Sequence, residues 1–161
     1  MNWPLPIRIV GVGSSSGDDA VGWNAVRRLQ REREWGSEFE FHAVEGGQRL
    51  LDLLDGRGSL IIVDAFSSNE KAGGILRLEW PSPRIETLHL GTTHHVRPAE
   101  ALQLAAALGI LPATVVIWAV AGEQFVPQSD LSPTVAASVP VLVQQIVVEL
   151  DEVPKRGVVD A

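Results

Sequence analysis

Short apolar runs alternate along the chain with longer stretches in which apolar residues recur at every third or fourth position. The run IRIVGVG (Ile7–Gly13) ends in glycines and reads as a strand. From Asp18 to Arg33, Ala20, Val21, Trp23, Val26 and Leu29 keep helical spacing. Acids open that stretch and basic residues close it, as the helix dipole favours. Glu38–Val44 alternates and predicts a second strand, and Gln48–Leu54 a short helix. Ser59–Ala65 is largely apolar, as a strand covered on both faces requires. Gly74–Trp80 and Ile85–Leu90 read as two strands flanking the turn Pro81–Arg84. Pro98–Leu108, rich in Ala and Leu, predicts a helix. Ala113–Val120 predicts a buried strand, and Pro133–Leu150 a long apolar helix capped by Ser132. Trp23, Trp80 and Trp118 fit core or edge packing, while Trp3, Pro4 and Pro6 tie down the N-terminus.

Strands alternating with helices argue for an α/β fold, a three-layer α/β/α sandwich around a mostly parallel twisted sheet. The length of 161 residues fits one domain, expected over 1–152 with a frayed tail over 153–161. A net charge of −7 argues against a nucleic-acid partner, because phosphate binding wants a basic face. The absence of cysteine removes disulfides, thiolate metal sites and thiol nucleophiles. The segment MNWPLPIRIV does not resemble a signal peptide, and no apolar run is expected to approach the ~18 residues of a membrane span. The expected setting is soluble and cytoplasmic, without a membrane partner.

Chemistry concentrates at the carboxyl ends of the predicted strands, where open α/β sheets bind ligands. Asp19 follows the first run, Asp64 lies near the end of LIIVDA (Leu60–Ala65), and His94 sits in TTHH just before a helix. Two carboxylates and an imidazole make an O,O,N set with open positions, suited to Ni, Zn or Fe(II). A buried carboxylate without a partner costs several kcal/mol, so Asp64 should meet a cation, a donor or a helix N-terminus. The blander reading makes Asp64 a hydrogen-bonded strand-end residue, and Asp18 and Asp19 mere helix caps. Gly11, Gly13 and Gly17 form a loose G-x-G-x-x-x-G, but Asp18 and Asp19 would repel a pyrophosphate there. Gly13, Ser15 and Gly17 also match G-x-S-x-G, and Ser15, Asp64 and His94 follow the chain order of an α/β-hydrolase triad. That elbow should follow a central strand with others before it, whereas here it follows the first, so the serines read more simply as turn residues. His95 is expected in a supporting or solvent-facing place, and His42 and His89 as structural. Arg97 stands near the crevice, where it can meet a substrate carboxylate or simply start a solvated helix.

Taken in order, GVG (Gly11–Gly13), DDAVG (Asp18–Gly22), EGG (Glu45–Gly47), LIIVDA, TTHH, AEAL (Ala99–Leu102) and LSPTV (Leu131–Val135) resemble the hydrogenase maturation endopeptidases. That family trims the C-terminus of the [NiFe]-hydrogenase large subunit. The resemblance implies a phosphorylase/hydrolase-like sandwich and an aspartic-type endopeptidase activity. It implies that Asp19, Asp64 and His94 are both the catalytic and the metal-binding residues, and that Glu45, Gly46 and Gly47 help seat the peptide. The implied partner is a large-subunit precursor, cleaved only once nickel is loaded. Nickel is then presented by the substrate, other divalent metals being candidates for the free protein. A binding-only, chaperone-like paralogue on the same fold is the alternative. This chain departs from the family pattern in having Ser14 where Asn is usual, and a first loop one residue shorter. It also has Gln48-Arg49-Leu50 where the family has Thr-x-Gly, a stretch linked in relatives to substrate selection.

Overall fold

Strands that are apolar on both faces need cover on both, and this decides the architecture. The computed structural model describes residues 1–67, 71–90 and 96–153. Strand β1 (Ile7–Gly13) runs parallel to β2 (Phe39–Glu45) on one side and to β3 (Ser59–Ser67) on the other. β3 in turn runs parallel to β6 (Thr114–Ala121). At the far edge β4 (Ile75–Glu79) pairs antiparallel with β6, giving the order β2-β1-β3-β6-β4. The two-residue β5 (His89–Leu90) lies antiparallel to Phe66 and Ser67 of β3. β6 already holds the other edge of β3 at Phe66, so β5 continues the edge that β1 occupies as far as Val63.

Alternation along the strands feeds two cores. Ile7, Ile9, Ile61, Val63, Val116 and Trp118 face one layer, made by α1 (Val21–Glu32) and α5 (Pro133–Leu150). Val10, Val12, Leu60, Ile62, Phe66 and Ile117 face the other, made by α2 (Gly46–Leu51), α3 (Pro83–Thr87) and α4 (Pro98–Leu108). The expected α/β/α sandwich with a mostly parallel sheet is therefore present. Arg8 breaks the apolar pattern of β1 but is neutralised by a two-pronged contact with Asp55, at 2.9 and 3.1 Å. At the N-terminus Trp3 is buried, and Ser59 donates through its hydroxyl to Pro4 and through its N–H to Pro6. Trp118 donates from Nε1 to Glu149, which also pairs with Arg77 at 2.6 Å, tying α5 to the antiparallel edge.

Several expectations need correction. Only residues 89 and 90 of the predicted strand Ile85–Leu90 pair with the sheet, because Ser82 and Pro83 start a helix first. The Ser82 side chain accepts from the Arg84 N–H, and Pro83 carries the pre-set backbone angle of a first helical residue. The short helix predicted at Gln48–Leu54 begins earlier, at Gly46. The helix predicted from Asp18 starts as a 3₁₀ turn, Gly17–Ala20, with α1 proper from Val21. Ser132 sits at the N-cap of α5 but its side chain makes no capping bond. By length and composition α5 is apolar enough to cross a membrane, contrary to the expectation that no apolar stretch approaches that length. Val135, Val139, Leu142, Val143, Ile146 and Leu150 instead close the core against the sheet.

Candidate active site

The two aspartates singled out from the sequence come together. Asp64 lies in β3, with the parity of Ile62 and Phe66, so it faces the layer of α2 and α4. Asp19 lies on the 3₁₀ turn between β1 and α1, and this turn packs on β3. Two glycines allow that approach. A Cβ on Gly13 would collide with the Asp19 carbonyl, and one on Gly22 with the carbonyl of Val63. The glycine-rich loop thus serves close backbone packing, which brings a turn carrying acids against the central strand.

Both carboxylates are withdrawn from water: Asp19 is 2 % exposed and Asp64 0 %. Asp64 accepts from the Ala65 N–H through Oδ1 at 2.8 Å. Among the described residues nothing donates to its Oδ2, which is also buried. Burial, and secondarily the charge of Asp19, push the Asp64 carboxyl well above the ordinary carboxylate range. The Ala65 N–H opposes that shift without cancelling it. A buried acid pair with an oxygen lacking a donor is a demand for a proton or a cation. Oxygen donors of this kind fit a divalent ion.

Asp18 has a different task. Its carboxylate accepts from the N–H groups of Glu123, Gln124 and Ser132 and from the Ser132 hydroxyl, at 2.7–3.0 Å. Burial opposes ionisation of this group, but the donors outweigh it and hold the carboxyl below its ordinary range. Asp18 therefore neither caps α1 nor joins Asp64, but fastens the β6–α5 connection to the turn that carries Asp19. This commitment explains why the Ser132 side chain leaves its own helix uncapped.

The remaining candidates divide. His94 and its neighbour His95 lie outside the described residues. α4 begins at Pro98, on the face to which Asp64 belongs. Glu45 ends β2 opposite Gly13, and the Gly47 N–H donates to the Val96 carbonyl at 2.7 Å. This bond ties the start of α2 to the segment that leads into α4. Arg97 is the half-buried N-cap residue of α4. His42 is half-buried in β2, with Nε2 3.5 Å from Glu40, and His89 is exposed in β5. Ser15 is exposed and borders an open pocket with Trp23, Asn24 and Gln128, whereas Asp64 is fully buried. Ser14, noted from the sequence only as a departure, donates from Oγ to Asp19 Oδ2 at 2.6 Å. No local spacing signals that bond, since it depends on the turn that folds residue 19 back.

Comparison with known proteins bears on the family and the fold. A family model described as hydrogenase maturation protease matches residues 24–149, a span that holds Asp64 and His94 and begins just after Asp19. No curated protein matches. Among solved structures, the chain is similar to the hydrogenase maturating endopeptidase HybD from E. coli, with 24% identity and a TM-score of 0.75 over 92% of this chain and 93% of that one. It is similar to the [NiFe] hydrogenase maturation protease HybD from Thermococcus kodakarensis, with 21% identity and a TM-score of 0.72 over 91% and 99%. The HycI protease from T. kodakarensis KOD1 gives 16% identity and a TM-score of 0.68 over 92% and 94%. These structural likenesses concern the fold, whereas the family match covers most of the sequence. The chain belongs to the hydrogenase maturation protease family.

Proposed function

We propose that this chain is an endopeptidase that removes a C-terminal peptide from the nickel-loaded large-subunit precursor of a [NiFe] hydrogenase. The carrying observation is the buried pair of Asp19 and Asp64 at the sheet's carboxyl edge, with Oδ2 of Asp64 lacking a donor among the described residues. Asp19, Asp64 and His94 are the residues that would hold the substrate's nickel; Zn or another divalent ion would suit the same donors in the free protein. When bound, such an ion supplies Lewis-acid polarisation or a more acidic water. Before the substrate arrives, Asp64 favours its protonated form, which limits repulsion from Asp19. Arrival of a cation favours both carboxylates ionised, so the pair distinguishes a loaded precursor from an unloaded one. Glu45, Gly46 and Gly47, beside the approach to α4, help seat the peptide. A cytoplasmic setting suits a precursor processed before its export or assembly.

The test is to mix the protein with a large-subunit precursor from the same organism, with and without nickel, and to weigh the products by mass spectrometry. Loss of a short C-terminal peptide only from the loaded precursor is expected. Alanine at Asp19, Asp64 or His94 is expected to abolish it while circular dichroism stays unchanged. Processing that survives these substitutions would sink the assignment. Complex formation without cleavage by the unaltered chain would favour a binding-only paralogue instead.

A further inference from the structure

We propose that Ser14 is a positioning residue, whose hydroxyl fixes the Asp19 carboxylate in the orientation in which it meets a divalent ion beside Asp64. The proposal rests on the metal reading of the aspartate pair given above. Ser14 is buried at the end of β1, and its hydroxyl donates to Asp19 Oδ2 at 2.6 Å, a length typical of a charge-assisted bond. The direction of that bond is set by its surroundings. The Ser16 N–H donates to Ser14 Oγ at 3.3 Å, occupying the oxygen as an acceptor and leaving its hydrogen for Asp19. The Ser14 backbone N–H also donates to the Asp19 carbonyl at 3.3 Å. Ser14 thus holds residue 19 at both its main chain and its carboxylate.

Gly13 is packed against the Asp19 main chain, which brings the neighbouring Ser14 hydroxyl within reach of the Asp19 carboxylate. Two like charges brought close in a dry site repel, and a hydroxyl dipole aimed at one of them offsets part of that cost. Carboxylates that ligate metals are characteristically hydrogen-bonded by an outer group, whose loss weakens affinity or activity by about 10- to 100-fold. Ser14 stands in that relation to Asp19.

The experiment measures Ni²⁺ affinity of the free protein by calorimetry and, where that affinity is too weak to read, the nickel dependence of precursor binding. It compares the unaltered chain with Ser14→Ala and Ser14→Thr, with urea melts alongside. Ser14→Ala is expected to lose about 10- to 100-fold in nickel affinity, and Ser14→Thr, which keeps the hydroxyl, to stay within about threefold of the unaltered chain. Ser14→Asn, with an amide donor, replaces Ser14→Thr if the added methyl unfolds the loop. Nickel affinity unchanged in Ser14→Ala overturns the proposal, as does an equal loss in a folded variant that keeps a donor. An unaltered chain that shows nickel dependence in neither measurement overturns the metal reading itself. That failure is visible before any variant is made, so the two are told apart.

Discussion

Three serines and two aspartates in the first loop have unlike roles, and contacts rather than residue type separate them. Asp64 has its carboxyl raised by burial and by Asp19. In the metal-free protein the bound proton is therefore stabilising below the unfolded pKa of ~3.9, and that contribution is lost as pH rises through the folded value. Asp64→Asn is expected to abolish processing yet to melt a few degrees higher than the parent at pH 8, with the gap closing at pH 4. Thermal melts at the two pH values check this. Asp18 behaves in the opposite sense. Its lowered carboxyl stabilises the fold above the unfolded pKa and ceases to do so as pH falls through the folded value. Asp18→Ala leaves the donors of Glu123, Gln124 and Ser132 without their acceptor and is expected to cost about 3 kcal/mol in urea denaturation. Ser15 is exposed at the loop surface, so Ser15→Ala is expected to leave the processing rate within about twofold. A total loss of activity would revive the serine mechanism.

At the scale of elements, the site is made by a turn and helix pressed onto two strands. Gly22 lets the first turn of α1 lie against the Val63 carbonyl. Gly22→Ala adds one methyl where none fits, and is expected to cost about 1–3 kcal/mol by overpacking. Because the pressure falls on the strand that carries Asp64, processing is expected to fall by more than stability alone explains. Paired urea melts and initial rates would show whether the two losses separate. The connection from β6 to α5 is held to the same turn by Asp18 and by bonds from the Gly17 N–H to Ser129, the Asp18 N–H to Gln124 and the Gln128 N–H to Ser15. A loop at the carboxyl edge is thereby fixed to a rigid element, as precise placement of reacting groups requires.

At the scale of the whole molecule, a sheet covered on both faces leaves its carboxyl edge for chemistry, and the acid pair lies there. The repeating apolar pattern was enough to locate β1, β3, β6, α4 and α5, because central strands and long helices bury side chains at fixed periods whatever their neighbours. The segment 85–90 was misread because its apolar residues, Ile85, Leu88 and Leu90, suit a short helix under the sheet as well as a strand, and the Ser82–Pro83 start decides between them. Asp19 and Asp64 could be named from the chain because strand ends place their loops at one edge. The separate duties of Asp18 and Asp19, the bond from Ser14, and the exposure of Ser15 were not legible. Each depends on contacts between residues far apart in the chain or on the exact path of a turn. Sequence by itself thus determined the family, the layers and the acids at the edge, since periodicity and ordered motifs are local properties. Tertiary structure alone decided which carboxylate is clamped and which is left under strain, because desolvation and repulsion arise only when separate elements close around the same small volume.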